Sequence, residues 1–233
     1  MIKAVIFDMY ETLVTLYGGM RYTGKQIAGE IGISESDFRT IWDPSDEDRT
    51  LGRITFEEVI EKILKRFGRY SEELFRTVVM KRKQSRDECF QRLHPGILPM
   101  LEGLKASGFR IGLITNCYFE ERDSIRAGIL FPFFDALCMS CEMGIKKPDA
   151  EIFIRCMDEL SVLPRECLYV GDGGAGELEA ARKLGMHTLQ AMWYLNMGPM
   201  RESGRKDGFK QAELPADVLR EAEKYSGDGI ELK

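Results

Sequence analysis

Four places along the chain carry side chains suited to handling an anion. The apolar run Ala4 to Phe7 stops at Asp8, and the run Phe109 to Ile114 stops at Thr115-Asn116. Lys146-Lys147-Pro148 follows Ser140, and the run Cys167 to Val170 stops at Gly171-Asp172, with Glu177 one turn further on. A hydroxyl and exposed backbone amides at a helix N-terminus suit phosphate oxygens, so Thr115 and Asn116 read as a phosphate-binding pair. Proline restricts Lys147 to extended geometry, and Asp149 can cap the helix behind it. Asp8 and Asp172 at neighbouring strand ends make a hard oxygen site of the kind Mg2+ takes when it is shared with a phosphate.

These groups can cooperate only if their strands stand side by side. In an open parallel sheet ligands bind at the carboxyl ends of the strands, where all four places would fall. From His94-Pro95-Gly96 onward strand and helix signals alternate: a helix over about Ile97 to Ser107, a strand to Thr115, a helix Phe119 to Arg126, and a strand near Ala136 to Ser140. A helix carrying Ile152, Phe153, Cys156, Met157 and Leu160 follows, then the strand Cys167 to Val170. A glycine-rich turn leads into a helix through Leu184, and a last strand covers His187 to Ala191. Such alternation predicts an α/β fold, a Rossmann-like parallel sheet with right-handed crossovers.

Between the first strand and His94 the pattern is helical from about Met20 to Glu88. The clearest helix has Phe56, Val59, Ile60, Ile63, Leu64 and Phe67 at helical spacing behind Thr55, and Ser71 caps another that carries Leu74, Phe75, Val78 and Val79. This reads as a small helical bundle inserted after the first strand. The segment Trp193 to Gln211 reads as loop; its Arg201, Arg205, Lys206 and Lys210 are better read as solvated than as ligands of an anion. A closing helix is expected over Leu214 to Lys224.

With 233 residues, 44% hydrophobic and 30% charged, the chain has the balance of a soluble globular protein. No apolar run approaches the ~18 residues of a membrane span, and the N-terminus enters a strand without a signal-peptide pattern, so a cytoplasmic protein is expected, with no membrane partner. A formal net charge of −5 argues against a nucleic-acid surface. The six cysteines (Cys89, Cys117, Cys138, Cys141, Cys156 and Cys167) lie mostly in apolar segments and read as buried free thiols. Cys138 and Cys141 form a single CxxC without the further ligands a zinc site needs. The only histidines, His94 and His187, lie in no nucleophile context. The turn Gly171 to Gly176 fits GxGxxG, but Asp172 would point a negative charge at a pyrophosphate, and the next strand ends in Gln190 and Ala191 instead of an acid for a ribose.

Together the four places resemble the ordered motifs of the haloacid dehalogenase superfamily of hydrolases, with a helical cap inserted between the first and second. Asp8 and Thr12 match the first motif, Thr115 the second, Lys147 before proline the third, and Gly171, Asp172 and Glu177 the fourth. The resemblance implies a core of residues 1–14 and 95–233 and a cap of residues 15–94 that opens over the core, hinged near Tyr17 to Gly19 and His94 to Gly96. It also implies roles. Asp8 would be the nucleophile that forms an aspartyl-phosphate, and Asp8, Asp172 and the Tyr10 backbone carbonyl would hold Mg2+. Thr115 and the Asn116 amide would bind phosphate oxygens, Lys147 would pair with Asp8 and the phosphoryl group, and Glu177 would orient the metal's water shell.

The chain departs from the family at Tyr10, where its phosphatases carry a second aspartate that protonates the leaving alcohol and then activates water. Tyrosine there resembles the family's 2-haloacid dehalogenases, which attack carbon and need no metal, yet those lack the Gly-Asp of the fourth motif. Glu11 departs from both patterns and is the nearest substitute acid in sequence. The side-chain metal site outweighs the tyrosine. The expected function is therefore a Mg2+-dependent phosphatase acting on a small phosphorylated metabolite. A metal-independent dehalogenase and a catalytically weakened ligand-binding or regulatory protein are the alternatives. Arg49 and Arg53 in the cap are open to reading as substrate-selecting or as solvated.

Overall fold

Four consecutive apolar residues, Ala4–Phe7, form the central strand β1, and all four are buried because both faces of the sheet are covered. The structure is a computed structural model that describes residues 1–195 and 204–227. After β1 come helices α1 (Gly24–Ile31), α2 (Glu35–Trp42), α3 (Asp46–Thr50), α4 (Phe56–Arg66) and α5 (Glu72–Cys89). Then follow α6 (Ile97–Ala106), β2 (Arg110–Thr115), α7 (Phe119–Ala127), β3 (Ala136–Met139), α8 (Ser140–Met143), α9 (Ala150–Glu159) and β4 (Cys167–Gly171). The last elements among the described residues are α10 (Glu177–Lys183), β5 (His187–Ala191), β6 (Lys210–Ala212) and α11 (Ala216–Gly227).

The sheet is parallel and its strand order is β3-β2-β1-β4-β5-β6. Strand periodicity sends alternate residues to opposite faces: Val5 and Phe7 of β1 pack with Leu101, Ile125 and Val218 on one side, while Ala4 and Ile6 pack with Phe153, Cys156 and Leu178 on the other. The chain leaves β1 toward β2 and β3, then crosses back to β4 on the opposite flank of β1. This reversal opens a crevice at the carboxyl ends, where Asp8 continues the pairing by donating its N–H to the Val170 carbonyl at 2.9 Å.

The helices between β1 and α6 bury their own apolar cluster, including Phe38, Phe56, Ile60, Ile63 and Val78. Helix α4 starts where Thr55 Oγ1 accepts from the Glu58 N–H at 3.2 Å, while the Glu58 carboxylate accepts from the Thr55 N–H at 2.8 Å, satisfying two otherwise orphaned donors. This bundle meets the sheet domain through buried charge. Arg82 Nε of α5 donates to Glu120 of α7 at 3.1 Å, Arg86 Nε lies 3.0 Å from Glu121, and Ser124 Oγ donates to Asp87 at 2.7 Å. At the other end of the contact, a Cβ on Gly52 would stand 1.9 Å from the Cys141 carbonyl, so only glycine permits that approach.

One sequence expectation is corrected. Lys210 to Ala212, read as part of a loop, form the parallel edge strand β6 on β5. Of the four basic residues of that segment, Arg205 and Lys210 stay more than half exposed while pairing with Glu213 and Glu221, Lys206 pairs with Glu179 at 2.8 Å, and Arg201 lies outside the described residues. All six cysteines are buried free thiols, as expected. Among the described residues, no helix is long and apolar enough to cross a membrane.

Candidate active site

The parallel register sets the tips of β1, β2 and β4 side by side, Phe7 opposite both Leu113 and Val170. Asp8, Thr115 and Asp172 therefore emerge at one edge of the sheet, and the other groups come in from the loops between. Lys147 reaches across from the segment after α8. Its ammonium lies 2.5 Å from Asp8 Oδ1 and 2.5 Å from Glu177 Oε2, with all three side chains buried. Asp8, Asp172 and Glu177 each present an oxygen within 4.8 Å of the others. Such an all-oxygen donor set suits a hard divalent cation.

The turn that carries Asp172 is built around Glu177. A Cβ on Gly171 would come within 1.9 Å of Glu177 Oε1, so glycine is required for the carboxylate to lie over the strand end. The Glu177 carboxylate also accepts from the Tyr169 hydroxyl at 2.8 Å and the Gly173 N–H at 3.3 Å. Asp172 itself accepts from the Gly174 N–H at 2.8 Å, and Gln190 Nε2 donates to the Asp172 carbonyl at 2.8 Å.

Three carboxylates face one ammonium here, and their protonation follows from that imbalance. Burial raises Asp8; Lys147 opposes the shift and Asp172 adds to it. Burial, opposed by Lys147 and reinforced by Asp8 and Asp172, pushes Glu177 up to about 8. For Lys147, burial disfavours the charge, but Asp8 and Glu177 outweigh it and raise the ammonium above its ordinary range. Without a cation the cluster therefore retains a proton that free carboxylates would have lost.

The remaining sequence-predicted residues are placed less simply. Thr115 is fully buried at the end of β2. The Asn116 side chain turns toward the backbone of Lys147, accepting from its N–H at 2.8 Å and donating to its carbonyl at 3.1 Å. Tyr10 sends its hydroxyl into the interface with the helical bundle, where it is buried and has no protein partner. Burial and then the Glu121 carboxylate, with Arg86 opposing, raise this phenol well above its ordinary value of ~10, so it stays protonated. Glu11, the nearest substitute acid in sequence, is committed locally: its carboxylate accepts from Thr15 Oγ1 at 2.8 Å and from the Leu16 N–H at 2.9 Å.

Sequence reasoning placed Thr12 in the first motif without giving it a role, and it missed three further contributors, Trp193, Tyr169 and Gln190. Thr12 Oγ1 donates to Asp8 Oδ2 at 3.3 Å, while Trp193 Nε1 donates to the Thr12 carbonyl at 2.8 Å and so braces the Asp8 loop from beyond β5. Tyr169 and Gln190 support the Asp172 turn as described. Only Tyr169 gave a local signal, as a polar atom in an otherwise apolar strand.

Comparisons with known proteins bear on this geometry. A family model described as haloacid dehalogenase-like hydrolase matches residues 2–185. A glyceraldehyde 3-phosphate phosphatase of Methanopyrus kandleri is 28% identical over 243 residues, covering 96% of this chain and all of the relative. Among solved structures, L-2-haloacid dehalogenase from Xanthobacter autotrophicus with chloropropionic acid covalently bound superposes with a TM-score of 0.60 at 17% identity, covering 94% of this chain and 98% of that one. A family enzyme from Bacteroides thetaiotaomicron in complex with magnesium and inorganic phosphate gives 0.61 at 16% identity, covering 89% and 98%. Both structural likenesses speak to the fold, which phosphatases and dehalogenases share.

Proposed function

The chain belongs to the haloacid dehalogenase-like hydrolase family, and from that membership we propose that it is a Mg2+-dependent phosphatase acting on a small phosphorylated metabolite through an aspartyl-phosphate on Asp8. The observation that carries this reading is the convergence of Asp8, Asp172 and Glu177 within 4.8 Å around Lys147. Displacement of halide at carbon has no use for such a carboxylate cluster, whereas phosphoryl transfer needs a cation to offset the charge of both nucleophile and phosphate. The phosphatase relative at 28% identity supports the same choice.

The roles follow from position. Asp8 attacks phosphorus; the new bond joins its carboxylate oxygen to the phosphoryl group and the alcohol leaves with the electron pair of the broken P–O bond. Thr115 Oγ1 and the Asn116 backbone amide hold phosphoryl oxygens, and Lys147 offsets their charge while pairing with Asp8. Asp8, Asp172 and the Tyr10 carbonyl would hold Mg2+, with Glu177 orienting its waters, and the cation would neutralise charge at the phosphoryl group. Water then attacks phosphorus and releases Asp8. Tyr10 stays protonated and Glu11 is tied to its own turn, so neither activates that water. We assign residues 15–94 as the cap that must open for entry, since Asp8, Thr115 and Lys147 are all buried in this closed arrangement.

Phosphate release from p-nitrophenyl phosphate and acetyl phosphate tests the reading: turnover with Mg2+ that disappears with EDTA is expected. Activity that survives chelation, or halide release from 2-chloropropionate without metal, would move the assignment to the dehalogenases.

Cation binding must also expel the proton held by the cluster. Mg2+ affinity should therefore rise by up to ~10-fold per pH unit as the pH climbs toward the Glu177 value of about 8, and level off above it. Calorimetric titration from about pH 6 to about pH 9 reads this directly; an affinity flat across that range would show that the cluster holds no such proton.

A further inference from the structure

Lys147 is buried, and the segment that carries it, between α8 and α9, belongs to no strand. Its backbone N–H and carbonyl therefore lack the ladder partners a strand would provide, and buried main-chain groups must find them elsewhere. Asn116 supplies both. Its planar side-chain amide accepts from the Lys147 N–H at 2.8 Å and donates to the Lys147 carbonyl at 3.1 Å, as the facing residue of a neighbouring strand would. The clamp ties the tip of β2 to a residue 31 positions later in the chain. From that fixed backbone the Lys147 ammonium reaches Asp8 and Glu177, each at 2.5 Å.

We propose that the Asn116 side chain is a positioning residue, distinct in role from its backbone amide, that sets the Lys147 ammonium against Asp8 and the phosphoryl group by holding the Lys147 backbone at both its donor and its acceptor. The inference rests on the phosphatase reading, because it assigns Lys147 to phosphoryl oxygens. It also explains why a carboxamide stands here: aspartate could accept from the N–H but would repel the carbonyl, and serine is too short to span both groups.

A double-mutant cycle separates positioning from a general structural role. The readout is the affinity for inorganic phosphate in the presence of Mg2+, measured by calorimetry on Asn116→Ala, Lys147→Ala and the double variant, so that no turnover is required. Asn116→Ala should weaken phosphate binding about 10-fold and lower turnover by about 10- to 100-fold, the scale of a displacement near 1 Å. In the Lys147→Ala background the same change should cost less than about 2-fold in affinity, because the group it positions is gone. Asn116→Asp, which keeps one of the two bonds and the side-chain size, should fall between wild type and alanine in turnover. Losses in affinity that multiply in the double variant, or full turnover in Asn116→Ala, would overturn the inference. A wild-type chain that binds no phosphate with Mg2+ present would instead overturn the reading beneath it, and the inference with it.

Discussion

Asp8→Asn should lower Mg2+-dependent phosphate release by at least about four orders of magnitude while leaving the fold intact. The substitution preserves shape and one hydrogen-bond acceptor toward Lys147, but a carboxamide cannot form the acyl phosphate. No nearby carboxylate replaces it: Asp172 and Glu177 are proposed for the cation, and Glu11 is bonded to Thr15 and Leu16. The same change should keep or raise the melting temperature. Burial and the Asp172 charge hold the Asp8 carboxyl above its ordinary range, so its ionised form is disfavoured there, and Lys147 retains Glu177 as a partner. Kinetics and thermal melts on one preparation check both halves. A variant with about one per cent of wild-type turnover would mean that Asp8 is not the nucleophile.

Tyr10→Asp should act in the opposite direction. A carboxyl group at this position can give its proton to the leaving alcohol and, as the resulting carboxylate, accept one from the attacking water, which the buried phenol cannot, help worth ~10²- to 10⁴-fold. The gain should depend on the leaving group, because a good leaving group needs no proton. Alkyl phosphates should therefore speed up by up to that range, whereas the first step with acetyl phosphate should hardly change. On this account, unassisted attack of water should make breakdown of the aspartyl-phosphate the slow step for acetyl phosphate in the wild type and give a burst of acetate ahead of phosphate; Tyr10→Asp should remove that burst. The change removes a phenol ring that packs against the core cluster, along with an unpartnered hydroxyl beside Glu121 and Arg86, so thermal melts accompany the kinetics. Equal rates for both enzymes on an alkyl phosphate would show that the acid is not what limits turnover.

What could be read in the sequence was whatever local pattern determines. The apolar runs of β1, β2 and β4 and the helical spacing behind Thr55 and Ser71 report burial directly, so these elements and the α/β class were legible, as was the order in which polar residues end the strands. Strand β6 was not. Lys210-Gln-Ala212 shows no apolar alternation and becomes a strand only because β5 offers it a free edge. Side-chain direction was the other gap. Nothing around Asn116 announces that its amide will meet a backbone 31 residues away, and nothing around Tyr10 announces that its hydroxyl will be buried near Glu121 and Arg86. Trp193 and Gln190 support the site from segments that sequence reading took for a loop and a plain strand end. In each case the information lies in a distant partner, and a single sequence does not pair residues across such distances.

Acid quenching of the wild type during turnover of acetyl phosphate with Mg2+, followed by peptide mass spectrometry, addresses the covalent step itself. We predict the added mass of one phosphoryl group on the peptide that contains Asp8, absent in Asp8→Asn and absent when EDTA precedes the substrate. Turnover with no label on Asp8, or label on another residue, would contradict the proposed chemistry.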